Sequence, residues 1–99
     1  MLGAIKYIKS YTKGVEYSGF LKNRMLMDAV IRNLEIVGEA ASKLTTAFRE
    51  EHSEIEWRKI IGMRNRIIHT YDMVDPEIVW DVVKHDLPEL SKRLRKLAG

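Results

Sequence analysis

The chain has no cysteine. That excludes disulfides and thiolate chemistry, and it suits a reducing compartment. Only two prolines and six glycines occur among its 99 residues, so there is no linker, low-complexity tract or internal boundary to suggest more than one domain, residues 1–99. No Gly-rich phosphate loop and no Gly-x-Ser-x-Gly turn is present, which leaves kinase-like and hydrolase-like chemistry without a home. No apolar run approaches the roughly 20 residues of a membrane span, and the N-terminus has no signal-peptide core. A cytoplasmic protein without a membrane partner is therefore expected. Glu35 and Glu39 stand one turn apart as in a di-iron bundle, but no Glu-x-x-His completes such a site, and no metal is expected.

What is present is a moderately basic, helix-forming pattern. The net charge of +3 is compatible with an RNA substrate but decides nothing alone. Ile5, Ile8 and Tyr7/Tyr11 mark a first helix over Ala4–Lys13, closed by Gly14. With Ser18 as N-cap, a long helix is predicted from Phe20 to about Leu44. Its stripe is Val30, Leu34, Val37, Ala41 and Leu44, continued by Phe48, with Leu26 and Met27 extending it backwards. Thr45–Ser53 reads as a bend or short helical turn, and a third helix starts near Glu54–Trp57 and runs to about Tyr71. Asp75-Pro76-Glu77 is a strong start signal for the last helix, which Pro88 should kink or restart with Asp86 as a cap. With no sustained strand alternation, the expected class is all-α.

The segment Arg64-Asn65-Arg66-Ile67-Ile68-His69-Thr70-Tyr71 carries the chemistry. On a helix, Trp57, Ile60, Ile61, Arg64, Ile68 and Tyr71 share one side, which puts Arg64 where an apolar residue belongs. Such local inconsistencies tend to mark sites. Cleaving RNA without a metal requires an acceptor for the 2′-hydroxyl proton, a donor for the leaving 5′-oxygen and cations for the phosphate. His69, with an ordinary pKa of about 6.5, supplies acid–base help worth roughly 10²- to 10⁴-fold. Arg64 offers a planar fork for phosphate oxygens. Five residues apart, the two differ by about 140° on an ideal helix, so they converge only if the helix bends or ends near His69. Asn65, one turn before His69, can orient its ring or contact substrate, and Tyr71 returns to Arg64's side, where it can stack on a base or donate to phosphate.

One chain brings a single well-placed histidine, whereas transesterification uses an acid and a base. A two-fold dimer would add a second His69 and Arg64 across a seam lined by Arg64. The residues alone also fit an ion-pairing or capping set at a helix end, with Tyr71 in the core. Arg58, Lys59 and Arg66 read as solvated charge that can also guide RNA. Lys92, Arg93, Arg95 and Lys96 read as dipole compensation, Asp81/His85 as a surface pair, and His52 as loop.

The Arg-x4-His-x-Tyr spacing resembles the signature of HepT-like ribonuclease toxins of the HEPN superfamily. The resemblance extends along the chain. Asp28–Ala41 is similar to that family's second-helix block, Trp57–Asn65 to its run into the motif, and Val79-Trp80 with Asp86-Leu87-Pro88 to its last helix. The first helix reads shorter than in the family. The resemblance implies a four- to five-helix up-down bundle, homodimeric, acting as a metal-independent endoribonuclease toxin that needs no cofactor. Arg64 and His69 would be catalytic, with Asn65 and Arg66 contacting or orienting substrate. The implied partner is a minimal nucleotidyltransferase antitoxin that uses ATP to AMPylate Tyr71, adding negative charge that competes with substrate phosphate. A tyrosine so modified should be partly exposed. The alternative is a non-catalytic helical module that binds RNA or a nucleotide, or serves only as the nucleotidyltransferase's partner.

Overall fold

The stripe of small and branched apolar residues on the central helix organises the fold. The computed structural model describes residues 1–63, 66 and 74–98. They form α1 (Leu2–Thr12), α2 (Tyr17–Lys22), α3 (Arg24–Ser42), α4 (Thr46–Glu51), α5 (Trp57–Ile61), α6 (Pro76–Asp81), a π turn (Val82–Asp86) and α7 (Leu87–Ala98). The class is all-α, with no strand among the described residues. Val30, Leu34, Val37 and Ala41 are buried on one face of α3, as their spacing predicts. Against that face pack α1, through Ala4, Ile5 and Ile8, and α5, through Trp57 and Ile60. Val79, Val82, Leu87, Leu90 and Leu94 close the core from the last helical rod.

The long second helix of the sequence reading is two helices. Asn23 adopts an extended backbone (φ −112°, ψ 90°), and its side-chain oxygen accepts from the Leu26 N–H at 3.0 Å. Asparagine satisfies an orphan helix donor better as a cap than it propagates a helix, so α3 restarts there. Glu16, not Ser18, takes the N-cap position of α2, without a side-chain bond. The stripe also ends before Phe48, which is exposed at the edge of α4 and leans on His52, 4.5 Å between ring centroids. Tyr7 and Tyr11 likewise face outward, stacked on each other. Gly14, at φ +73°, ends the α1 region in a backbone conformation open to glycine.

At the other end, Asp75 caps α6, accepting from the N–H groups of Glu77 and Ile78 at 3.0 and 3.3 Å, with Pro76 in the first turn. Pro88 neither stops the rod nor makes Asp86 a cap. Proline lacks the N–H that would bond four residues back, and its ring crowds that carbonyl. The backbone widens just before it instead: the Leu87 N–H donates to the Val82 carbonyl, five residues back, and the helix continues. Ahead of this turn, Trp80 receives Phe20 and Tyr17 of α2 at 4.9 and 6.0 Å between ring centroids.

Leu34→Ala should lower the free energy of unfolding by about 2–5 kcal/mol. Met25→Ala, at an exposed position of the same helix, should change it by less than about 0.5 kcal/mol. Urea denaturation of both variants checks this, and equal losses would contradict the assignment of the core face.

Candidate active site

The approach to the Arg-x4-His-x-Tyr segment is set by α5. Trp57 anchors its start: the indole N–H donates to the His52 carbonyl at 3.0 Å, and the ring is buried. Ile60 and Met63 continue the inward face, with Met63 almost wholly buried. At Gly38 the backbone of α5 comes close to α3. A Cβ built there would stand 3.3 Å from the Ile60 carbonyl oxygen, so glycine permits this approach.

Arg64, Asn65, His69 and Tyr71 lie outside the described residues, and with them the expected convergence of Arg64 and His69 and the expected exposure of Tyr71. Arg66 lies within them. It is helical, its N–H donates to the Gly62 carbonyl at 3.2 Å, and its Nη1 donates to Asp86 Oδ2 at 2.7 Å. Both side chains are largely shielded, 32% and 23% exposed, so this is a charge-assisted bond across two elements, not a solvated surface pair. Lys59 Nζ stands 3.9 Å from the same carboxylate oxygen and 3.8 Å from Glu56 Oε2. Asp86 thus serves two cations of the segment entering the motif. A cavity of about 250 Å³ opens beside them, floored by Ile60, Met63, Leu87 and Leu90.

Asp86 is the residue that sequence reasoning assigned elsewhere. Its place two residues before proline suggested a cap, whereas the π turn presents its carboxylate to Arg66, 20 positions earlier. Helical periodicity carries no signal for a pairing of that separation. The neighbouring cations divide between roles. Arg93 bonds Glu89 at 3.0 Å and the Glu54 carbonyl, tying α7 to the loop before α5. Glu35 and Glu39 face Arg32 at 3.7 and 3.9 Å, and His85 Nδ1 lies 2.8 Å from Asp81 Oδ1 in an exposed pair, as the surface reading anticipated. Among the described residues no group of three or more His, Asp or Glu is placed to hold a metal ion.

Comparison with known proteins places this arrangement. The family model described as ribonuclease HepT-like matches residues 1–97. The chain belongs to the HepT-like ribonuclease family. Among curated HepT-like relatives, a protein of Caldanaerobacter subterraneus subsp. tengcongensis named as a candidate RNase is 36% identical over 97 residues, 98% of this chain and 87% of its own. One from Thermococcus cleftensis, named as a candidate ribonuclease HepT, is 39% identical over 94 residues, 95% of this chain and 86% of the relative. A third, a candidate RNase of Methanocaldococcus jannaschii, is 39% identical over 84 residues, covering 85% and 77% of the two chains. No solved structure gives a significant match. Within this HepT-like chain, the blocks that carried the resemblance build the described residues leading to Arg66: Asp28–Ala41 supplies the α3 face, Trp57–Met63 the approach, and Asp86 the anchor of Arg66.

Asp86→Ala should leave Arg66 and Lys59 without their shared counter-charge and destabilise the fold by about 1–3 kcal/mol, the usual consequence of stranding a shielded charged partner. Thermal unfolding beside hydrogen exchange at Gly62–Arg66 checks this; unchanged melting with unchanged exchange would contradict the anchoring role.

Proposed function

We propose that this protein is a metal-independent endoribonuclease, the toxin of a HEPN/MNT toxin–antitoxin pair. The observation that carries the reading is an intact Arg64-x4-His69-x-Tyr71 motif in a chain matched to the HepT-like family from residue 1 to residue 97. The reaction is an internal transesterification. The 2′-oxygen of a ribose attacks the adjacent phosphorus, the bond to the 5′-oxygen of the next nucleotide breaks, and a 2′,3′-cyclic phosphate and a 5′-hydroxyl result. The proton leaving the 2′-hydroxyl and the proton gained by the 5′-oxygen balance, so an acid and a base suffice.

His69 takes the acid–base role, and Arg64 clamps the phosphate and stabilises the charge that builds on its oxygens. Asn65 orients His69 or substrate. Arg66, whose guanidinium is engaged by Asp86, orients the segment that bears the others. A homodimer supplies the second His69, so that one histidine serves as base and the other as acid. Tyr71 is the acceptor for AMP transferred from ATP by a minimal nucleotidyltransferase antitoxin. Each added phosphodiester puts a negative charge beside Arg64 and His69 and so inhibits cleavage.

Incubating the purified protein with total RNA in EDTA, with its intact mass recorded, tests this reading. Cleavage is expected from unmodified protein, with losses of at least about 100-fold in His69→Ala and Arg64→Ala. Absence of cleavage from protein of unmodified mass would contradict it and favour a binding module.

A further inference from the structure

On the flank of the last helical rod away from Arg66 and Asp86, a groove of about 620 Å³ runs between the rod and α1. Every charged side chain lining it is a cation: Lys9 and Lys13 on one bank, Lys84, Lys92, Arg95 and Lys96 on the other. None of these six makes an ion pair among the described residues, although Lys84 turns its amine to the Trp80 ring, 4.7 Å away and outside the groove lining. The whole chain carries only +3, so the surface outside the groove is net negative. Dipole compensation accounts for basic residues in final helical turns, but not for Lys92 in mid-helix. Gathering six like charges costs self-repulsion, which an anionic occupant relieves.

The floor distinguishes among anions. Ile5, Ile8, Val83 and Leu87 line it, yet each is already buried by the protein's own core. The accessible lining is therefore supplied mainly by the stems and charged heads of the lysines and the arginine, with Pro88 and Ser91, whereas helix-in-groove recognition depends on an open apolar floor. No aromatic side chain lines the groove, so it offers no platform on which bases stack. What remains is two facing banks of positive charge.

We infer that the groove between α1 and the last helical rod is a binding track for the phosphodiester backbone of a single RNA strand, separate from the Arg66–Asp86 pair. Its partner as RNA rests on the ribonuclease reading; its anionic, backbone-directed character rests on the groove itself. The track holds long substrates through phosphates, without reading bases, and its affinity falls steeply with salt.

Fluorescence anisotropy with a labelled 20-nucleotide RNA of mixed sequence, in EDTA and in a His69→Ala background so that the strand stays whole, tests the inference. Lys9→Glu/Lys92→Glu/Arg95→Glu should weaken binding at least tenfold. It should also make the slope of log K against log salt shallower by about 2, the loss of three phosphate contacts to a single strand. Lys6→Glu/Lys22→Glu/Lys43→Glu changes net charge equally at exposed positions outside the groove and should cost no more than about threefold. The milder Lys9→Gln/Lys92→Gln/Arg95→Gln, with its melting curve recorded, should fall between wild type and the reversal variant. Equal losses in the two reversal sets, or wild-type affinity in the groove set, would overturn the track. Binding through the groove, together with no cleavage by the wild-type protein of unmodified mass, would leave the track standing and remove the ribonuclease reading.

Discussion

The fold depends on one constraint: α3 must bury Val30, Leu34, Val37 and Ala41 along a single face, and α1, α2 and α5 pack against α3. All four are at most 1% exposed. Full burial of a side chain of this class contributes about 1.5–3 kcal/mol, so the stripe outweighs any single polar contact in the molecule. Small residues set the distance as much as large ones set the energy. Gly38 lets neighbouring backbone approach, and there it is α5, the element leading into the Arg-x4-His-x-Tyr segment, that comes close. The motif's entry is thus fixed by the same helix that makes the core.

A second restraint comes from the last helical rod. The π turn relieves the missing donor at Pro88 without ending the rod, and it carries Asp86 to the partly shielded position where Arg66 and Lys59 meet it. A backbone irregularity and an ion pair therefore belong to one device. Had the rod ended at proline with Asp86 as a cap, that carboxylate would have been spent on backbone N–H groups. Arg66 would then have lacked its partner. Support of this kind at Arg66 is what the proposed acid–base chemistry between separately placed groups would require.

How much of this could be read from the residues depends on the range of the interaction. The α3 stripe, the Asp75-Pro76 start and the Gly14 stop follow from neighbours within a few positions, and all three stand as their patterns imply. The break at Asn23 was also local but lay inside a persuasive apolar periodicity, which masked a capping residue that prefers to start helices. Asp86 with Arg66, and the groove assembled from Lys9 and Lys92 at opposite ends of the chain, are pairings of distant sequence that periodicity cannot express. The family was legible because the motif and its flanking blocks keep their spacing, and the match along residues 1–97 agrees.

The reaction proposed for this motif has a chemical fingerprint independent of rate. Attack by the 2′-oxygen leaves its mark on the product, so the most direct measurement is the end-group chemistry of RNA cut by the purified protein in EDTA. The account predicts 2′,3′-cyclic phosphate on the upstream fragment and a 5′-hydroxyl on the downstream one. A 3′-hydroxyl with a 5′-phosphate would mean that water attacked instead, and would contradict an acid–base transesterification built on Arg64 and His69.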